Sequence, residues 1–179
     1  MVITLIGYRG CGKSSIAPHL AKQLGWSWVD SDYIIEQSAG SSIKEIFEYE
    51  GEAGFRKRET EVLNDLLQKQ NIVIASGGGA ILAEQNRQRM KAAGPVVWLN
   101  ASVEVIARRL GGDRTSNQRR PSLTGKPIAE EVDDVLLVRT PLYRECATLI
   151  VDSGSGRPEQ LAKRIAQQIS VQNTQDETA

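Results

Sequence analysis

Five short apolar runs, "VITLI" at 2–6, "WSWVD" at 26–30, "NIVIA" at 71–75, "PVVWL" at 95–99 and "ATLIV" at 147–151, are separated by longer stretches of helical pattern. Runs this apolar suit strands buried on both faces, and the intervening segments are long enough for crossover helices. The alternation predicts an α/β fold, a five-stranded parallel sheet flanked by helices. A chain of 179 residues that is 40% hydrophobic has the size of one compact domain with a substantial core. The domain is expected over 1–170, with the polar stretch 171–179 as a disordered tail.

Two segments depart from simple alternation. The first, 43–70, is too long for one crossover helix and contains Gly51 and Gly54, so two or three helices are expected in a region inserted between the second and third strands. The second, "GGDRTSNQRRPSLTGKP" at 111–127, is rich in Gly, Arg, Ser and Thr and has no apolar periodicity. In a compact domain that pattern reads as a mobile lid or as plain disorder.

The loop "GYRGCGKSS" at 7–15 follows the first apolar run and precedes the amphipathic segment "SSIAPHLAKQL". Gly7, Gly12, Lys13 and Ser14 fit G-x-x-x-x-G-K-[ST] in the strand-to-helix context that this phosphate-binding pattern requires. Backbone N–H groups of Gly10, Cys11, Gly12, Lys13, Ser14 and Ser15 would cradle phosphate oxygens at the positive end of a helix. Lys13 would bridge the terminal phosphates and Ser14 would ligate Mg²⁺. Pro18 inside the following helix predicts a kink.

Charge and residue inventory narrow the chemistry. Lys plus Arg and Asp plus Glu number 22 each, so net charge gives no reason to expect a nucleic acid or an anionic membrane as partner. No apolar stretch approaches a membrane span, and the chain opens directly into a strand-like run without a charged leader. Cys11 and Cys146 match no metal or redox spacing, which fits a reducing compartment; a cytoplasmic, monomeric protein is expected. His19 is the sole histidine, which rules out a histidine metal cluster and leaves catalysis to carboxylates, Lys and Arg.

The acceptor side must be sought in the remaining motifs. In "VDSDY" at 29–33, period-2 alternation sends Asp30 and Asp32 to one side at the carboxyl end of the second strand, where open α/β sheets bind ligands. Asp30 would hold Mg²⁺ through water and Asp32 would accept a proton from a substrate hydroxyl. The competing explanation is a helix cap, common for Asp before a helix such as one starting at Tyr33. "GFRKRE" places Arg56 and Glu59 three apart, where a surface ion pair is the ordinary outcome. The three glycines of "ASGGGAI" at 75–81 lose conformational freedom on folding without adding side-chain contacts, so they point to a backbone that approaches a ligand closely. Arg139, just ahead of Thr140 and Pro141, is read equally as a solvated cation and as a site residue.

Taken in order, "GYRGCGKS", "DSD", "GFRKRE", "SGGG", "RRP" and "RTPLY" make the chain resemble the shikimate kinase family, small P-loop kinases that phosphorylate the 3-hydroxyl of shikimate with ATP. The resemblance runs over about 2–169. It implies ATP and Mg²⁺ as cofactors, and an acceptor-binding insertion at about 32–62. It further implies a shikimate pocket formed by Asp32, Arg56, Gly78, Gly79 and Arg139, the two arginines on the carboxylate and Asp32 on the hydroxyls. Arg120 in "RRP" resembles the lid arginine that closes on the phosphates, with Arg119 the alternative because the stretch from Arg109 is longer than in the family pattern. Arg109 and Arg157 resemble adenine-side contacts. Another small-metabolite kinase such as a gluconate kinase, or a binding module that has lost catalysis, are the remaining readings.

Overall fold

The computed structural model describes residues 1–112 and 127–176. Its sheet has five parallel strands, β1 (Val2–Ile6), β2 (Ser27–Asp30), β3 (Ile72–Ala75), β4 (Val96–Asn100) and β5 (Leu149–Asp152), in the order β2-β3-β1-β4-β5. Around it lie α1 (Lys13–Leu24), α2 (Ser31–Ala39), α3 (Ile43–Leu67), α4 (Glu84–Ala93), α5 (Val103–Gly112), α6 (Ile128–Cys146) and α7 (Pro158–Asp176), with a 3₁₀ turn at Ala80–Leu82.

The two faces of the sheet have separate cores because successive strand residues point in opposite directions. Ile3, Leu5, Val73, Ala75, Val97 and Leu99 pack against α1 and α7. Val2, Ile6, Ile72, Ile74, Val96 and Trp98 pack against α3, α4 and α6, with Trp98 stacked on Tyr143 at 5.7 Å between ring centroids. The central strands β1, β3 and β4 are buried almost throughout, as their composition predicts. The edge strands are not: Trp28 and Ile150 remain exposed, since an edge strand has a neighbour on one side only.

This connectivity makes the ligand crevice. The chain leaves β1 toward α1 on one face and leaves β3 toward α4 on the other, so the two adjacent carboxyl ends splay apart, the place where open α/β sheets bind ligands. The loop after β1 and the glycine run after β3 thus lie side by side. A Cβ built on Gly78 would sit 3.4 Å from the Gly7 carbonyl oxygen, and Ser76 seals the junction with its N–H and Oγ both donating to the Leu5 carbonyl.

Within the region between β2 and β3, the segment 43–70 holds a helix kinked into two parts. Gly51 (φ 69°, ψ −177°) breaks α3 into its two parts. Its own small core, Ile35, Ile43, Ile46 and Phe55, joins α2 to both parts, and Ser42 starts α3 with a reciprocal capping box to Glu45, which satisfies two otherwise unpaired N–H groups. Helix α1 continues through Pro18 without a break; the proline withholds the donor that the Ser14 carbonyl would otherwise receive. Helix α7 runs to Asp176, beyond residue 170, where composition alone ends the ordered domain. The predicted lid over 111–127, with Arg114, Arg119 and Arg120, lies almost wholly outside the described residues.

Candidate active site

The loop between β1 and α1 forms the floor of a cavity of about 430 Å³ lined by Arg9 to Ile16, Asp30, Asp32, Gly78 and Arg109 among others. Gly7, Gly10 and Gly12 all have positive φ, a backbone course that residues with a Cβ rarely follow. Gly12 caps α1 without any side-chain bond to the first-turn N–H groups, which leaves the helix's positive end to the cavity. Lys13 is buried and its Nζ donates to the carbonyls of Gly7 (2.7 Å) and Tyr8 (3.0 Å). The ammonium is thereby held inside the loop it would serve.

"DSD" is built differently from its strand reading. Helix α2 begins at Ser31, two residues earlier than Tyr33, so Asp32 stands on the helix and not at the end of β2. Asp30 both caps that helix, accepting from the Asp32 N–H at 3.0 Å, and accepts from Ser14 Oγ at 2.5 Å. Asp30 therefore caps α2 with one oxygen and faces Ser14 in the cavity with the other. Ser31, which the sequence did not single out, is buried and its Oγ accepts from the Gly77 N–H at 2.9 Å. Three consecutive residues thus tie α2 to α1 and to the glycine run, and place Asp32 at the crevice.

The glycine run is the wall on which Asp32, Arg56, Glu59 and Arg139 meet. A Cβ on Gly77 would fall 2.3 Å from Glu59 Oε1 and 2.9 Å from Asp32 Oδ1; one on Gly79 would fall 2.3 Å from Arg56 Nη1. The Gly78 carbonyl accepts from Arg139 Nη1 at 3.2 Å and from the Tyr143 hydroxyl at 2.7 Å. Burial pushes the Tyr143 phenol far above its ordinary range, so it stays a neutral donor. Arg56 does pair with Glu59, at 2.6 Å, but Glu59 is buried, and Arg56 also reaches Glu52 at 3.3 Å. The Arg56–Glu59 pair is thus half-buried and not the surface pair that spacing alone predicts. Asp32, Arg56, Gly78, Gly79 and Arg139 come together here.

Arg109 bridges the phosphate loop to the loop after β5, donating to the carbonyls of Gly10 (3.3 Å) and Ser153 (2.7 Å). Ser153, Gly156, Pro158 and Leu161 continue that wall of the cavity. Arg157 is exposed at the start of α7 and is not among the lining residues. A second pair that the sequence does not reveal joins half-buried Arg9 to buried Glu131 of α6. Its partners lie 122 residues apart, and no local pattern connects them.

A parallel sheet with a phosphate-loop sequence after its first strand, a carboxylate-linked Ser14 and a crevice lined by charged groups at the neighbouring strand define the P-loop kinase fold. Comparison with known proteins agrees. The sequence model of the family described as Shikimate kinase matches residues 9–170. A shikimate kinase of Rhodopirellula baltica is 45% identical over 90% of this chain and 86% of its own, and shikimate kinase 2 of Serratia proteamaculans is 42% identical over 91% and 92%. Among solved structures, shikimate kinase from Acinetobacter baumannii in complex with shikimate superposes with a TM-score of 0.89 at 40% identity, over 96% of this chain and 93% of that one. The chain belongs to the shikimate kinase family.

Proposed function

We propose that the chain transfers the terminal phosphoryl group of ATP to the 3-hydroxyl of shikimate. The observation that carries this reading is the convergence of Arg56, Arg139 and Asp32 on three consecutive glycines beside the phosphate loop. A small anionic polyol needs planar cations for its carboxylate and a carboxylate for its hydroxyls, and these three side chains supply both.

In this reading Asp32 accepts the hydroxyl proton as the oxygen bonds to phosphorus and the bond to the ADP leaving group breaks. Lys13 moves from its loop carbonyls onto the transferring oxygens, where negative charge spreads. Arg109, with Ser153, Gly156 and Pro158, walls the nucleotide base, and Arg157 meets the base from the rim. Arg120, or Arg119 beside it, closes on the phosphates.

Ser14 and Asp30 suit Mg²⁺, a hard cation that takes few protein oxygens and keeps water and phosphate oxygens as its remaining ligands. Their hydroxyl and carboxylate are already in contact, and no group of three or more acidic, Cys or His side chains competes for a cation among the described residues. Mg²⁺ bound there would offset phosphate charge. Two free, buried cysteines suit a reducing compartment, and a cytoplasmic monomer is the form proposed; among the described residues no helix is long and apolar enough to cross a membrane.

An ADP-release assay with shikimate, quinate and gluconate offered separately tests the proposal. Turnover is expected with shikimate above both others. Equal or greater turnover with gluconate would favour the other small-metabolite kinase reading, and none with any acceptor would favour a binding module.

A further inference from the structure

Helix α6 carries Arg139 to the acceptor crevice; one turn further on Tyr143 is held by Trp98 and the Gly78 carbonyl, and Leu136 is partly buried against two apolar clusters. Pro141 lies two residues after Arg139 and removes the bond to the Leu137 carbonyl, so the ladder is weakened just where the two halves of α6 join. The flank opposite the sheet is open: Leu137 and Val138 are exposed. The stretch before Pro141 therefore takes part of its orientation from contacts nearer its own start.

The polar contact there is Glu131. Its carboxylate is buried and paired with Arg9, a phosphate-loop residue whose guanidinium also lies 5.9 Å from the Tyr8 ring centroid. Val132 beside it packs with Tyr8, Ile106 and Leu110. Tyr8 reports how tightly these groups cluster: its phenol is pushed up chiefly by burial, with Arg9 and Arg139 pulling down and Glu131 pushing up. Glu131 and Arg139 stand eight residues apart, about 12 Å along a helix at 1.5 Å per residue. A buried ion pair is seldom a net source of stability compared with apolar side chains of like volume, and its best-attested use is to fix one arrangement among several.

We propose that Arg9 and Glu131 form a positioning pair that sets where α6 presents Arg139, so that the phosphate loop governs the grip on the acceptor carboxylate through a residue that does not touch the acceptor. This rests on the reading of Arg139 as a carboxylate ligand for shikimate.

The test is a kinetic cycle between Glu131→Ala and Arg139→Lys, with thermal melting as the fold control. Glu131→Ala is expected to raise the shikimate KM about tenfold, with the ATP KM changed by less than about twofold. In the Arg139→Lys background the same substitution should add little, because both act through one contact. If Glu131→Ala does not fold, Arg9→Met with Glu131→Leu removes both charges together; it should melt near the parent and still show the raised shikimate KM. An unchanged shikimate KM, or effects of Glu131 and Arg139 that simply multiply, overturns the inference. A parent chain inert toward shikimate overturns the functional reading and this inference with it, whereas an active parent with indifferent variants overturns the inference alone.

Discussion

The guanidinium of Arg56 occupies the space where a side chain on residue 79 would begin, with Nη1 only 2.3 Å from the position of a Cβ on Gly79. Backbone and cation are fitted to one another, which gives a physical reason for glycine in the third place of the run. Gly79→Ala should fold, because the clash falls on the far end of a flexible side chain. It should also push Arg56 off its seat on Glu59 and raise the shikimate KM by about tenfold, with ATP affinity little changed. Michaelis constants for both substrates check this, and an unaltered shikimate KM would show that Arg56 does not serve the acceptor from this position.

Asp32→Asn keeps the shape of the first turn of α2 and removes the proposed proton acceptor. Turnover should fall by about a hundredfold or more, while calorimetric ATP binding stays close to the parent. A variant that retains more than about a tenth of parent turnover would make Asp32 an orienting residue and not a base.

Lys13→Met retains side-chain length and loses the charge on the transferring group. A drop of about a hundredfold or more in kcat is expected. The Gly7 and Tyr8 carbonyls lose their donor as well, so circular dichroism and melting must accompany the kinetics. Near-parent kcat in a folded variant would contradict the role given to Lys13.

The order of strands and the phosphate loop are legible in the sequence because they rest on local patterns: β-rich apolar runs, and glycines between a strand and a helix. The placement of Asp32 departs from the strand alternation for an equally local reason. Alternation along β2 and capping by Asp30 compete for the same residues, and the cap wins, starting α2 at Ser31. Arg56 and Glu59 are visible as a spacing, but the burial of Glu59 is not, since it depends on the glycine wall some twenty residues on, which closes over the pair only in the folded chain. Ser31 with Gly77, and Arg9 with Glu131, are contacts between distant parts of the chain. Nothing periodic announces them.

Ser31→Ala tests the first of those distant contacts. It strips the buried Gly77 N–H of its acceptor, and an unsatisfied buried donor costs about 1–3 kcal/mol. Urea unfolding should show a loss in that range with an unchanged slope. A neutral result would mean that the glycine run holds its place without α2.

The most direct measurement of the central claim, that Arg56 and Arg139 hold the acceptor's carboxylate, compares substrate KM values in Arg56→Lys and Arg139→Lys. A lysine keeps the charge but cannot form the planar fork. The account predicts that each variant raises the shikimate KM several times more than the ATP KM. A shikimate KM unchanged in both would contradict it, leaving Arg56 as a partner of Glu59 and Glu52 and Arg139 as a donor to the Gly78 carbonyl.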